Sequence, residues 1–217
     1  MSYLSHRPIP LAFTLKAMKC VCKIKTKDEN ESVCYGTGFF MKVSDELKYL
    51  ITTYHLINEN SIKNITLEIH NHIFFNLKPD GRFIKYFPKP IDITAIEIQE
   101  SDNIYKDIEF SDYVDDHNNT GYEIYKNADI FTIQYPFGED ATASSGNVIE
   151  IYNDMEFTHN MSTDRGSGGC PIILLDNNNN NQIKVIGIHQ GGDAKGKINY
   201  GILISKIINE INKPINK

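Results

Sequence analysis

The chain has 217 residues, a formal net charge of −6 and 41% hydrophobic residues. That length can bury a substantial core, in one domain or in two small barrels, and the acidic balance excludes a nucleic-acid groove, which needs clustered lysine and arginine. No apolar run approaches the roughly 20 residues that cross a bilayer, and the apolar stretch Leu11–Leu15 is too short for a signal segment, so a cytoplasmic location without membrane contact is expected.

Along the chain, an N-terminal segment, 1–19, is expected to carry a short helix over about Ala12–Met18. Short runs rich in β-branched and aromatic residues then follow between polar or glycine turns, the pattern of β-strands. Cys20–Lys25, Val33–Val43, Lys48–Thr53, Ile65–Ile69, Ile73–Leu77, Phe83–Phe87 and Thr94–Ile98 are assigned to a first barrel, 20–108. Lys78-Pro79-Asp80-Gly81 is a turn in which proline presets φ and glycine accepts the left-handed region.

Within the polar stretch from about Ser101 to Asn127, residues 109–128 are read as the link between two halves. Strands resume at Asp129–Tyr135, Asn147–Tyr152, Pro171–Leu175, Lys184–His189 and Tyr200–Ile204, a second barrel within 129–217. Asp176 with Asn177–Asn181 reads as a solvated hairpin tip. Ser205 caps a closing helix whose Ile207, Ile208 and Ile211 share one face, ending before Pro214. The predicted class is all-β: two packed antiparallel barrels of roughly six strands each, with a short C-terminal helix.

The four cysteines give no disulfide framework and no zinc spacing. Cys20 and Cys22 fall on one strand face, and Cys34 and Cys170 lie elsewhere. His70 and His72 share a face but lack a third ligand. No metal and no cofactor is therefore implied. The sequons at Asn64, Asn118 and Asn160 are read as unused.

Three segments carry chemistry: Ile51-Thr52-Thr53-Tyr54-His55, Asp92-Ile93-Thr94-Ala95-Ile96, and Thr163-Asp164-Arg165-Gly166-Ser167-Gly168-Gly169-Cys170-Pro171. They supply a histidine, an aspartate and a glycine-rich turn, in that order. Gly36-Thr37-Gly38-Phe39-Phe40, running on toward Thr53-Tyr54-His55, resembles the first barrel of trypsin-like, chymotrypsin-fold serine peptidases. The aspartate segment resembles that family's orienting strand. The loop resembles its Thr-x-x-Gly-x-Ser-Gly-x-Pro turn, matching at Thr163, Gly166, Gly169 and Pro171. Only the serine slot departs, and it holds Gly168.

The resemblance implies His55 as base, Asp92 as orienter and the N–H of Gly166 in the oxyanion hole. Ser167 is the alternative nucleophile, but that register puts Arg165 where the oxyanion glycine belongs and Cys170 where proline belongs. Cys170 itself lies past the turn, at the start of a strand. With Gly168 in the slot the expectation is an endopeptidase domain without its nucleophile, by engineering or by natural loss. The rival reading is a peptide-binding pseudoprotease.

Val185-Ile186-Gly187-Ile188-His189-Gln190-Gly191-Gly192 is similar to the specificity strand of glutamyl endopeptidases and of viral cysteine proteases that cut after glutamine. That similarity implies a pocket in which His189 and Thr163, five residues before 168, select Glu or Gln, with Gly191 and Gly192 letting a substrate strand approach. The expected partner is a peptide or protein substrate. The oligomeric state is not legible.

Overall fold

The computed structural model describes residues 8–28, 30–63, 65–114, 122–152, 155–175, 182–193 and 198–212. The expected hairpin tip at Asp176–Asn181 lies outside them. A helix, α1 (Leu11–Lys19), opens the described chain and turns Phe13 and Ala17, four apart, toward the core.

Seven strands follow: β1 (Val21–Lys27), β2 (Val33–Lys42), β3 (Lys48–Thr52), β4 (Ile65–Ile69), β5 (Ile73–Leu77), β6 (Ile84–Phe87) and β7 (Ile93–Glu97). They form one antiparallel sheet in the order β5-β4-β1-β2-β3-β7-β6. Leu67 on β4, Leu77 on β5 and Ile96 on β7 share one buried cluster, so the sheet curls around its own interior. Among the described residues no ladder joins its edge strands β5 and β6.

A two-residue strand, β8 (Asp112–Tyr113), precedes β9 (Asp129–Gln134), β10 (Thr142–Tyr152), β11 (Glu156–His159), β12 (Pro171–Leu174), β13 (Lys184–Gly192) and β14 (Asn199–Leu203). Their order is β12-β9-β10-β11-β14-β13, and β12 also pairs with β13, which closes a six-stranded barrel. β8 is added parallel to β13. The last element, α2 (Ser205–Asn212), buries Ile207, Ile208 and Ile211.

The strands read as nearly continuous apolar runs because many of them are buried on both faces. Phe40, Leu50 and Ile96 point into the first sheet's interior, while their neighbours Phe39, Met41, Tyr49, Ile51 and Ala95 point the other way. In the second barrel Ile130, Ile172, Ile186 and Leu203 fill the interior, and Phe131, Ile173, Val185 and Ile202 face outward. The outward sets meet in one shared core, roofed by Phe13 of α1 and the isoleucines of α2. The cleft lies where the two sheets join.

The all-β expectation holds, with three local differences. The polar segment at Ser111–Val114 is stitched to both sheets by backbone bonds: Ser111 exchanges them with Phe40 and Lys42, and Asp112 and Val114 donate to Ile183 and Val185. β10 starts five residues before the expected Asn147, because its polar Thr142–Gly146 half pairs with β9 before the strand bends onto β11. β13 runs three residues beyond His189, through Gly192.

Candidate active site

His55 stands just after β3, where the chain turns out of the sheet. Asp92 sits at the entry to β7, beside β3 in the sheet. The Nδ1 of His55 lies 2.7 Å from Asp92 Oδ2, and the backbone N–H of His55 donates to Oδ1 at 2.9 Å. A carboxylate can only accept, so it fixes the proton on Nδ1 and leaves Nε2 as the acceptor nitrogen, with the Thr53 hydroxyl 3.5 Å away. The Asp92 side chain is 6% exposed, whereas that of His55 is 50% exposed. Burial keeps the carboxylate in place; exposure lets the imidazole meet a ligand.

Asp92 adopts φ +54°, a left-handed conformation that aspartate tolerates better than most residues. Its turn is braced from the other sheet. Gln190 on β13 reaches across and donates from Nε2 to the carbonyls of Ile91 at 2.7 Å and Pro90 at 3.3 Å.

The glycine-rich loop meets His55 from the second barrel. A β-carbon placed on Gly168 would stand 3.4 Å from His55 Nε2 and 3.6 Å from Cε1, with Gln190 O at 3.7 Å. These are ordinary contacts, and a hydroxyl one bond further out falls within hydrogen-bond reach of Nε2. Ser167 points elsewhere: it is fully buried, and its Oγ accepts the Asp164 N–H at 3.0 Å inside the loop. Cys170 is also buried, and burial pushes its thiol up to about 12, far from a thiolate at neutral pH.

Most N–H groups of the loop are consumed within the fold. Asp164 and Arg165 donate to side chains, Ser167 to Asp164 O, Gly169 to His189 O and Cys170 to Ser167 O. Among the described residues the N–H groups of Gly166 and Gly168 have no such acceptor. The path of the loop depends on glycine at two points. Gly166 lies at φ +89°, where a β-carbon would come within 2.6 Å of Tyr135 O. Gly169 lies at φ +91°, where it would come within 2.1 Å of Thr37 O.

Thr37 on β2 is the clamp between the halves. Its hydroxyl donates to Gly166 O at 2.8 Å and accepts from Tyr135 N, while its N–H donates to Gly168 O at 3.0 Å. The glycine-rich loop of one sheet is thus held by a buried threonine of the other.

The predicted specificity residues are brought near one another without touching directly. Thr163 Oγ1 donates to Asn199 Oδ1 at 2.7 Å, and Asn199 Nδ2 donates to Met161 O at 2.7 Å. His189 is buried, with Nδ1 3.2 Å from Nε2 of His159 and a further bond to the Tyr200 backbone. Burial pushes His189 down to about 4 and His159 down to about 3, so both are neutral at pH 7.

Gly191 and Gly192 line a cleft of about 990 Å³ together with His55, Asp92, Gln190 and Tyr200. A β-carbon on Gly191 would meet nothing within 4 Å, so the strand is open there. Asn199, His159 and Gln190 escaped the sequence reading. Each acts through a cross-strand or inter-sheet neighbour that no local motif announces.

Among the described residues no group of three or more His, Cys, Asp or Glu could hold a metal ion, and no helix is long and apolar enough to cross a membrane.

No family model and no curated protein matches the chain. Solved structures do match. A serine endoprotease from Yersinia pestis gives a TM-score of 0.67 at 15% identity, covering 94% of this chain and 68% of that one. A protease from M. tuberculosis in its active form gives 0.65 at 16% identity, covering 100% and 96%. The HtrA-type protease AlgW with a tripeptide gives 0.68 at 16% identity, covering 94% and 62%. At such identities the likeness shows the fold, which is the two-barrel chymotrypsin-like fold of these proteases.

Proposed function

We propose that this chain is a trypsin-like serine endopeptidase domain that binds peptides across its inter-barrel cleft, positions the bond after a Glu or Gln, and lacks only the attacking oxygen. The observation that carries the reading is the position of Gly168: its missing β-carbon belongs 3.4 Å from the Nε2 of a histidine whose Nδ1 is held by a buried carboxylate.

With serine at 168 the chemistry is acyl transfer. Oγ attacks the substrate carbonyl as Nε2 of His55 takes its proton, and Asp92 stabilises the imidazolium. The N–H groups of residues 166 and 168 hold the oxyanion. His55 then gives the proton to the leaving amine, and water repeats the sequence to release the acid. With glycine at 168 the attacking atom is absent, while the cleft, the open space at Gly191 and the N–H groups of residues 166 and 168 are retained. Thr163 and His189 are the groups proposed to select the side chain before the scissile bond. A neutral His189 favours an amide, and an imidazolium would favour a carboxylate.

The test is fluorophosphonate labelling of the chain beside Gly168→Ser, with the adduct located by mass spectrometry. Labelling of Gly168→Ser alone, at residue 168, is the expected result. Labelling of the unchanged chain at Ser167 would move the nucleophile by one residue. A second reading, a binding module that never cut, is favoured by Gly168 itself; it wins if neither protein labels although both bind peptide.

A further inference from the structure

We infer that Asn199, held by Thr163, is the group that reads the side chain before the scissile bond, and that it selects a carboxamide over a carboxylate. The inference rests on the peptidase reading of the cleft and settles the choice that reading leaves between Gln and Glu.

The first observation is placement. Asn199 pairs with Gly192 across β13 and β14, and its Oδ1 lies 2.6 Å from where a Gly192 β-carbon would be. Gly192 lines the cleft beside His55. On the other side Asn199 bonds Thr163, at the start of the glycine-rich loop. Its side chain therefore bridges the start of the loop that carries residue 168 and the cleft-lining end of β13. Asn199 and His189 are both buried, whereas Thr163 is half-buried, so a side chain that passes Gly192 comes to Thr163 and to the Asn199 bonded to it.

The second observation is the inventory of donors and acceptors. The Thr163 hydroxyl hydrogen is committed to Asn199 Oδ1, so Thr163 Oγ1 offers the ligand lone pairs. One Nδ2 hydrogen of Asn199 is committed to Met161 O, which leaves the other as a donor. A floor with one acceptor and one donor complements a primary amide, whose N–H₂ reaches Thr163 and whose C=O reaches Asn199. A carboxylate brings only acceptors. To satisfy it, Thr163 would have to rotate away and leave the buried Asn199 oxygen without its donor.

The third observation is charge. The hydrogen-bonding groups of this floor and of the layer beneath it are all neutral: Thr163, Asn199, the Met161 carbonyl, His189, His159 and the Tyr200 backbone. Burial keeps both histidines uncharged, so neither supplies the cation a carboxylate would require. His159 thereby acts as a positioning residue, since it fixes the ring of His189 without touching a ligand.

The experiment uses three N-acetylated tetrapeptides identical except for a C-terminal Gln, Glu or Ala. Calorimetry on the chain as it stands measures their binding, and hydrolysis of matched fluorogenic peptides is followed in Gly168→Ser. The Gln peptide should bind and turn over at least about tenfold better than the Glu peptide, the worth of one matched buried hydrogen bond and one avoided mismatch. Asn199→Ala should bring that ratio close to one. The near-isosteric Asn199→Asp should weaken Gln without gaining Glu, and it serves if the alanine variant does not fold.

A Glu preference, or a Gln preference that survives both variants, overturns this inference alone. If Gly168→Ser fails to label with fluorophosphonate, the peptidase reading falls. Peptide binding then decides the inference by itself, because Asn199-dependent selection of Gln upholds it in a binding cleft and no binding of any peptide overturns it.

Discussion

His55 leans on a buried carboxylate and keeps half of its side chain in water, whereas His189 leans on a second histidine and is almost wholly enclosed. The side chain is the same and the surroundings are opposite. Asp92 places its carboxylate 2.7 Å from Nδ1, which holds the ring of His55 in one orientation and one tautomer. Around His189 burial dominates and no carboxylate compensates, so the ring stays neutral. The first arrangement holds an accessible ring in a fixed orientation; the second keeps a buried ring uncharged. Composition alone cannot separate the two, because both the partner and the burial are set by neighbouring elements.

The largest effect should come from giving His55 something to deprotonate. Gly168→Ser should raise turnover of a Gln-containing fluorogenic peptide by on the order of 10⁵-fold or more, measured as kcat. No rise in a folded protein would leave His55 without a catalytic role. In that background Asp92→Asn should lower kcat by about 10⁴-fold, since an amide no longer enforces the useful tautomer. A drop of less than tenfold would mean that the contact between His55 and Asp92 is only structural.

The histidine floor should reveal itself in acid rather than in rate. His189 and His159 have folded values below the ordinary 6.5, so the unfolded chain binds protons first as pH falls. Their contribution is complete above about pH 6.5 and is lost as pH drops toward about 4. Urea unfolding should show about 1–2 kcal/mol lost by pH 5 on account of His189. A His189→Gln variant should flatten that slope, and an unchanged slope would mean the pair is not kept neutral.

The smallest effect belongs to a third histidine. His72 Nδ1 lies 2.8 Å from Glu68, much as His55 lies on Asp92, but its side chain is 75% exposed. His72→Ala should move Tm by less than about 2 °C, because solvent screens such a pair. A larger shift would show that contact distance, not burial, sets what a histidine pair contributes.

Much of the barrel architecture was legible because burial on both faces of a strand leaves an apolar run that stands out, as at Phe39-Phe40-Met41 and Tyr49-Leu50-Ile51. The polar first half of β10, Thr142–Gly146, carried no such run, and only its backbone pairing with β9 makes it a strand. The positions of His55, Asp92 and Gly168 could be read because each sits in a short local pattern. Asn199, His159 and Gln190 could not. Asn199 reaches its place through a bulged register between β13 and β14, and Gln190 through a bond to a carbonyl 99 positions away.

Thr37 has a consequence for how the molecule is made. Its hydroxyl grips Gly166 across 129 positions of sequence, and Gly169 packs directly against its carbonyl. The glycine-rich turn is therefore shaped by contact with the other sheet and not by its own residues alone. A chain emerging from a ribosome has His55 and Asp92 in hand long before the turn exists to face them. The cleft is completed only when the last strands close and dock, so a truncated or half-folded product carries the parts of the site without ever assembling it.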